Sequence, residues 1–172
     1  MKTLLATIYM KRHPGVAYED VPYWYKRTVL GQIGHLLRKK ICVVWAPNCT
    51  ITALRIALYR LCGLKVGKGT FIGMKCYIDD LCIDKIEIGD NVTVSYGVYF
   101  ACHGINQPHN RIVIKDGAYI GMRASIIAPQ DIEIGEHAII GAQTLVNLSV
   151  PANAKAVGVP CRILPEKQNE ST

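Results

Sequence analysis

From residue 66 onward the chain repeats in sixes. Large apolar side chains fall at Val66, Ile72 and Ile78, at Ile88, Val94 and Phe100, at Ile114, Ile120 and Ile126, and at Ile134, Ile140 and Val146. Four residues after most of them sits something small or β-branched: Thr70, Cys76, Cys82, Val92, Val98, Ala118, Ala124, Ala138, Thr144 and Val150. A fixed six-residue period marks a parallel β-helix, each unit being one short strand and one turn. An amphipathic helix would need apolar spacings of three and four, so a spacing of six fits a helix poorly. Three units make one triangular coil. Coils are expected at 66–83, 88–105, 114–131 and 134–151, joined by 4, 8 and 2 further residues. Stacked coils pair their strands in parallel and bury a column of Ile and Val that no single coil could bury. Gly recurs directly after the large apolar residue, where a bend between the two inward-facing positions would favour it.

Length fits one domain with a real core. No apolar run approaches a membrane span, and the first residues lack a signal-peptide layout, so a cytoplasmic protein is expected. Seven scattered cysteines with no C-x-x-C pair read as reduced core residues, Cys76 and Cys82 taking the small inward slot of the repeat. Charge divides the chain unevenly. Residues 1–65 hold 11 Lys/Arg and 2 Asp/Glu, a net of +9, while the remainder carries −2.

That basic segment, 1–65, is expected to be helical. Val29, Leu30, Ile33, Leu36, Leu37 and Ile41 recur at helical spacing, Pro47 interrupts, and a second helix capped by Asn48 or Thr50 should run through Leu61 to Gly63. It can cap the open end of the first coil. It can also lie on an anionic membrane surface, which would make the protein peripheral at the inner face. No nucleic-acid-binding module is recognisable in it. Residues 66–164 form the repeat domain and 165–172 a tail.

The segment from Tyr99 to Arg111 leaves the repeat and holds two of the five histidines, His103 and His109. Such excursions are where rigid repeat scaffolds carry chemistry. Imidazole titrates near neutrality and suits a general base. Cys102 and His103 are neighbours on an extended strand, so they point to opposite faces and do not form a nucleophile–base pair.

Two segments carry a resemblance. Ile114-Lys-Asp-Gly-Ala-Tyr-Ile-Gly121 is similar to the coil start, and Val150-Pro151 through Ala156-Val-Gly-Val-Pro-Cys-Arg162 to the closing segment, of the hexapeptide-repeat acyltransferases. The galactoside, maltose and capsule-sugar O-acetyltransferases belong to that group. The resemblance implies a left-handed parallel β-helix, a homotrimer with active sites between subunits, acetyl-CoA as co-substrate and no metal. It implies acetyl transfer to a sugar hydroxyl, with polysaccharide precursors as acceptors, by a His general base. His103 is the first candidate and His109 the second. Asn106 and Tyr99 are candidate substrate contacts. Met122, Ala142, Asn147, Leu148 and Arg162 map to the cofactor-binding positions, Arg162 meeting phosphate. Three alternatives stay open. An amine could replace the hydroxyl as acceptor, and a non-catalytic platform is conceivable on the same scaffold. A γ-carbonic-anhydrase-like hydratase would need three His ligands, yet His137 falls in a different phase of its coil from His103 and His109.

Overall fold

The position of the turn in each hexapeptide decides how the coil closes. In the computed structural model, which describes residues 3–103 and 109–164, nine residues of the repeat domain lie in the left-handed backbone region at the fourth place of their unit. They are Gly69, Lys75, Asn91, Gly97, Gly117, Arg123, His137, Gln143 and Asn153. Conformational freedom is therefore needed at the fourth place, not at the second as the glycine pattern suggested. The second-place glycines answer a different demand. A Cβ on Gly121 would stand 2.6 Å from the Ala142 backbone nitrogen, and one on Gly135 would stand 2.4 Å from that of Ala152. The next coil passes too close there for any side chain.

The strands are short. Coil one holds β1 (Lys65–Val66), β2 (Phe71–Ile72) and β3 (Tyr77–Ile78), and coil two β4 (Ile86–Ile88), β5 (Thr93–Val94) and β6 (Tyr99–Ala101). Coil three holds β7 (Ile112–Ile114), β8 (Tyr119–Ile120) and β9 (Ser125–Ile127), and coil four β10 (Ile132–Ile134), β11 (Ile139–Ile140) and β12 (Leu145–Val146). Each coil gives one strand to each of three parallel sheets: a first face β1-β4-β7-β10, a second β2-β5-β8-β11 and a third β3-β6-β9-β12. A partial fifth turn adds a parallel bridge at Val150 and β13 (Lys155–Val157), on which β14 (Arg162–Leu164) folds back antiparallel. Corners between the first and second faces, and between the second and third, are always four residues long. The seam from the third face back to the first varies: seven residues after β3, ten after β6 and four after β9.

The expected column is the core. The leading residues from Ile72 to Val150 and the small residues between them are buried, including Cys76, Cys82, Ala118, Ala124 and Ala138. Burial raises the Cys76 and Cys82 thiols to about 11, so both stay protonated. Outside, the first face is charged, with Lys65 and Arg111 both paired to Glu87, and Lys115 to Glu133.

Two compact units divide the chain, residues 1–40 and 41–172. Residues 41–64, grouped on sequence with the basic segment, are part of the second unit. A π-helical turn (Ile41–Trp45), α3 (Ala46–Asn48) and α4 (Thr52–Leu61) place Cys42, Ala46, Tyr59 and Cys62 in the same core as the coils. Arg55 is 2% exposed; its Nε donates to the Ile72 carbonyl at 2.7 Å, and the Tyr59 hydroxyl donates to the Cys76 carbonyl at 3.0 Å. These side chains satisfy carbonyls of the first coil that have no earlier coil to pair with. Neither Asn48 nor Thr50 caps α4: Ile51 stands at its N-cap without a side-chain bond. The first unit contains α1 (Leu4–Arg12), two short 3₁₀ turns and α2 (Val29–Lys40). Among the described residues no helix is long and apolar enough to cross a membrane.

Candidate active site

The variable seam after β6 carries His103, and the seam below it supplies a partner that the sequence did not reveal. Asp79 directly follows β3, one coil away, and its side chain is fully buried. Its Oδ2 accepts from the Cys102 backbone N–H at 3.0 Å and lies 2.6 Å from His103 Nδ1; its Oδ1 accepts from the Leu81 N–H at 3.1 Å. With a carboxylate facing Nδ1, that nitrogen carries the proton and donates, leaving Nε2 with a free lone pair. The His103 side chain keeps 30% of its surface accessible. A buried acid, an imidazole oriented by it and a partly accessible ring form the arrangement that general-base chemistry requires.

Cys102 turns the other way. Its thiol is buried and pushed up to about 12, first by burial and then by the Asp79 charge, so it is no nucleophile. Alternation along the strand predicted this separation. Tyr99, on the outer face of β6, is exposed and stacks on Tyr77 with ring centroids 4.5 Å apart and planes 11° from parallel. Burial raises the Tyr77 phenol, and the nearby Asp79 and Tyr99 raise it further.

The remaining candidates are dispersed. His109 is exposed, and Asn106 lies outside the described residues. Asn147 and Leu148 follow β12 in the same seam as His103, two strands further along the third sheet and so about 10 Å along the axis. Met122 and Ala142 occupy the corner between the second and third faces in coils three and four. Both are exposed, and the Gln143 N–H bonds to the Met122 carbonyl at 2.8 Å. Arg162 is exposed on β14. One chain thus places His103 at one edge of the third face and Met122 and Ala142 at the opposite edge. A surface groove of about 450 Å³ lined by Lys115, Glu133, Glu136 and Ser149 includes none of these residues. Among the described residues no three His, Cys, Asp or Glu side chains are placed to hold a metal ion.

The fold has solved counterparts. A hexapeptide-repeat acetyltransferase of Vibrio cholerae, determined with acetyl coenzyme A, superposes with a TM-score of 0.65 over 80% of this chain and 90% of that one, at 23% identity. A maltose O-acetyltransferase of Clostridium difficile superposes at 0.57 over 77% of this chain and 85% of that one, at 26% identity. The fold is that of the hexapeptide-repeat acyltransferases. This left-handed parallel β-helix also has curated relatives by sequence. A serine acetyltransferase of Mycobacterium tuberculosis is 32% identical over 131 residues, and the bifunctional protein GlmU of Rubrobacter xylanophilus 34% over 108. The alignments take in 73% and 59% of this chain but only 56% and 22% of those proteins, so the chain spans about half, or less, of their length. No protein-family model matches the sequence.

Proposed function

We propose that this hexapeptide-repeat protein transfers an acetyl group from acetyl-CoA to a hydroxyl of a sugar, with His103 as general base. The observation that carries the reading is the 2.6 Å pairing of His103 Nδ1 with buried Asp79. His103 Nε2 takes the proton as the acceptor oxygen attacks the thioester carbonyl. When the C–S bond breaks, the same nitrogen returns the proton to the departing thiolate, which leaves as CoA thiol. Asp79 fixes the tautomer and stabilises the imidazolium in between.

The separation of candidates across the third face supports a trimer. If a second copy brings its Met122–Ala142 edge against the His103 edge of the first, the interface is head-to-tail, and a three-fold axis closes it into a ring. Each site would then draw its base, with Asn147 and Leu148 on the same seam, from one subunit and the Met122–Ala142 contacts from the next. The exposed Met122 and Ala142 corner offers an apolar wall and backbone groups to the cofactor, and Arg162 a guanidinium for phosphate.

The match to a serine acetyltransferase over 73% of the chain favours one other reading, in which the acceptor hydroxyl belongs to serine. The chemistry at His103 is unchanged. CoA release measured with acetyl-CoA against L-serine and a panel of mono- and oligosaccharides separates the two, and His103→Ala should abolish turnover with either. A folded protein that does not bind acetyl-CoA in a calorimetric titration would refute both readings.

A further inference from the structure

We infer that α2, in the first unit, is a lipid-binding helix that lies along an anionic bilayer surface. None of its twelve residues is buried. Its apolar side chains share one stripe: Val29, Leu30, Ile33, Leu36 and Leu37 fall within about a third of the helix circumference at 3.6 residues per turn. Leu30 is 82% exposed and Leu36 63%, and the other three are about half exposed. Large aliphatic side chains in one contiguous face are what a soluble surface ordinarily avoids.

Charge selects the occupant. The helix contains no Asp or Glu and ends in Arg38-Lys39-Lys40. Residues 1–40 hold eight Lys/Arg against Glu19 and Asp20 alone. Two copies pairing along this stripe would bring like charges together, whereas a surface of acidic headgroups is complementary to them. Lys40 sits at the end of the stripe, where a long aliphatic stem lets the ammonium reach headgroup level. The twelve residues of α2 span about 18 Å, well short of a hydrocarbon core of about 30 Å, and the helical turns that follow directly, Ile41–Trp45 and Ala46–Asn48, put Cys42 and Ala46 into the coil core, so the helix lies on the bilayer and does not cross it.

The glycines fit the same role. A Cβ on Gly34 would meet nothing within 4 Å, so no packing demands glycine there. Gly31 and Gly34 weaken the helix in isolation. A helix of this length that gains stability from an apolar surface is one whose order depends on that surface.

The test is co-flotation of the full chain with vesicles of phosphatidylcholine plus phosphatidylglycerol, and of phosphatidylcholine alone. Partitioning should favour the anionic vesicles about tenfold or more and weaken with added salt. Leu30→Glu/Leu36→Glu should cut binding by about tenfold or more while leaving the melting curve and the acetyl-CoA titration unchanged. Lys39→Gln/Lys40→Gln should weaken binding to the anionic vesicles while leaving the five large apolar side chains of the stripe in place. Equal partitioning of the wild type to both vesicle types overturns the proposal, as does undiminished binding by the Leu30→Glu/Leu36→Glu variant. So does a sedimentation result in which that variant breaks up a lipid-free assembly, because another copy of the chain would then be the occupant. Acetyl-CoA binding is read separately, so failure here leaves the catalytic proposal standing.

Discussion

Asp79→Asn is the most informative single change, because it keeps the shape of the side chain and removes only its charge. Asp79 faces three donors: the Cys102 N–H and His103 Nδ1 at one oxygen, and the Leu81 N–H at the other. An asparagine can keep its carbonyl towards Cys102 and His103, which turns its NH₂ towards the Leu81 N–H. The Leu81 N–H and the new NH₂ then face each other with no acceptor between them, costing about 1–3 kcal/mol of stability. The opposite flip would oppose two donors and is disfavoured. In the favoured orientation His103 keeps its tautomer but loses a charge-assisted bond for a neutral one, about 1–1.5 kcal/mol. It also loses the counter-charge for the imidazolium that forms as the acceptor is deprotonated. Counting the overlap between these once, the transition state loses about 2–4 kcal/mol, or roughly 30- to 1,000-fold in kcat/KM. The assay is CoA release followed with a thiol reagent, alongside denaturant unfolding and acetyl-CoA calorimetry to show that the variant is folded and binds cofactor. A folded, cofactor-binding Asp79→Asn enzyme working within about threefold of wild type would refute the assignment of Asp79 as the group that positions His103.

Gly121→Ala should destabilise the fold by about 1–3 kcal/mol in urea unfolding, because its Cβ would meet the backbone of the next coil at 2.6 Å. Gly34→Ala, with open space around it, serves as the control. Arg55→Leu should cost about 2–4 kcal/mol, since the carbonyls of Ile72 and Cys49 lose a buried donor; a melting curve that does not move would show the guanidinium to be dispensable. Iodoacetamide at mildly alkaline pH should label Cys49 alone in the native protein, the other six thiols being buried, and mass spectrometry of the labelled chain reads this directly. Cys102→Ala should retain turnover, because a thiol held up to about 12 takes no part in the reaction; loss of activity in a folded variant would return it to consideration.

The fold was legible because its signal is local and repeated: each hexapeptide places one large and one small residue inward whatever its neighbours are. The left-handed fourth place was harder to read. Glycine fills it in some units, but Lys75, Arg123, His137 and Gln143 fill it in others, and no common side-chain property links them. The glycines of the second place were visible but pointed to the wrong cause, since close approach between coils depends on residues about twenty positions away. His103 stood out as a histidine in an excursion. Asp79 did not, because its role exists only once two seams stack and bring together residues 24 positions apart. A signal was nevertheless present. The second place of the other units holds mostly Gly, Ala or Ser, and a carboxylate there needs donors waiting for it. The tyrosine stack depended on the same register, in which Tyr77 lies beside Tyr99.

The constant four-residue corners and the variable seam divide the molecule into a part that cannot change length and a part that can. Removing one residue from a constant corner would reverse which side chains face inward along the strand that follows. Adding residues in the seam leaves every strand in place. Evolution can therefore lengthen, shorten or exchange the segments after β3, β6 and β9 without renegotiating the column of Ile and Val behind them. Because Asp79 and His103 both sit on that seam, their surroundings can be rewritten while the pair itself is retained.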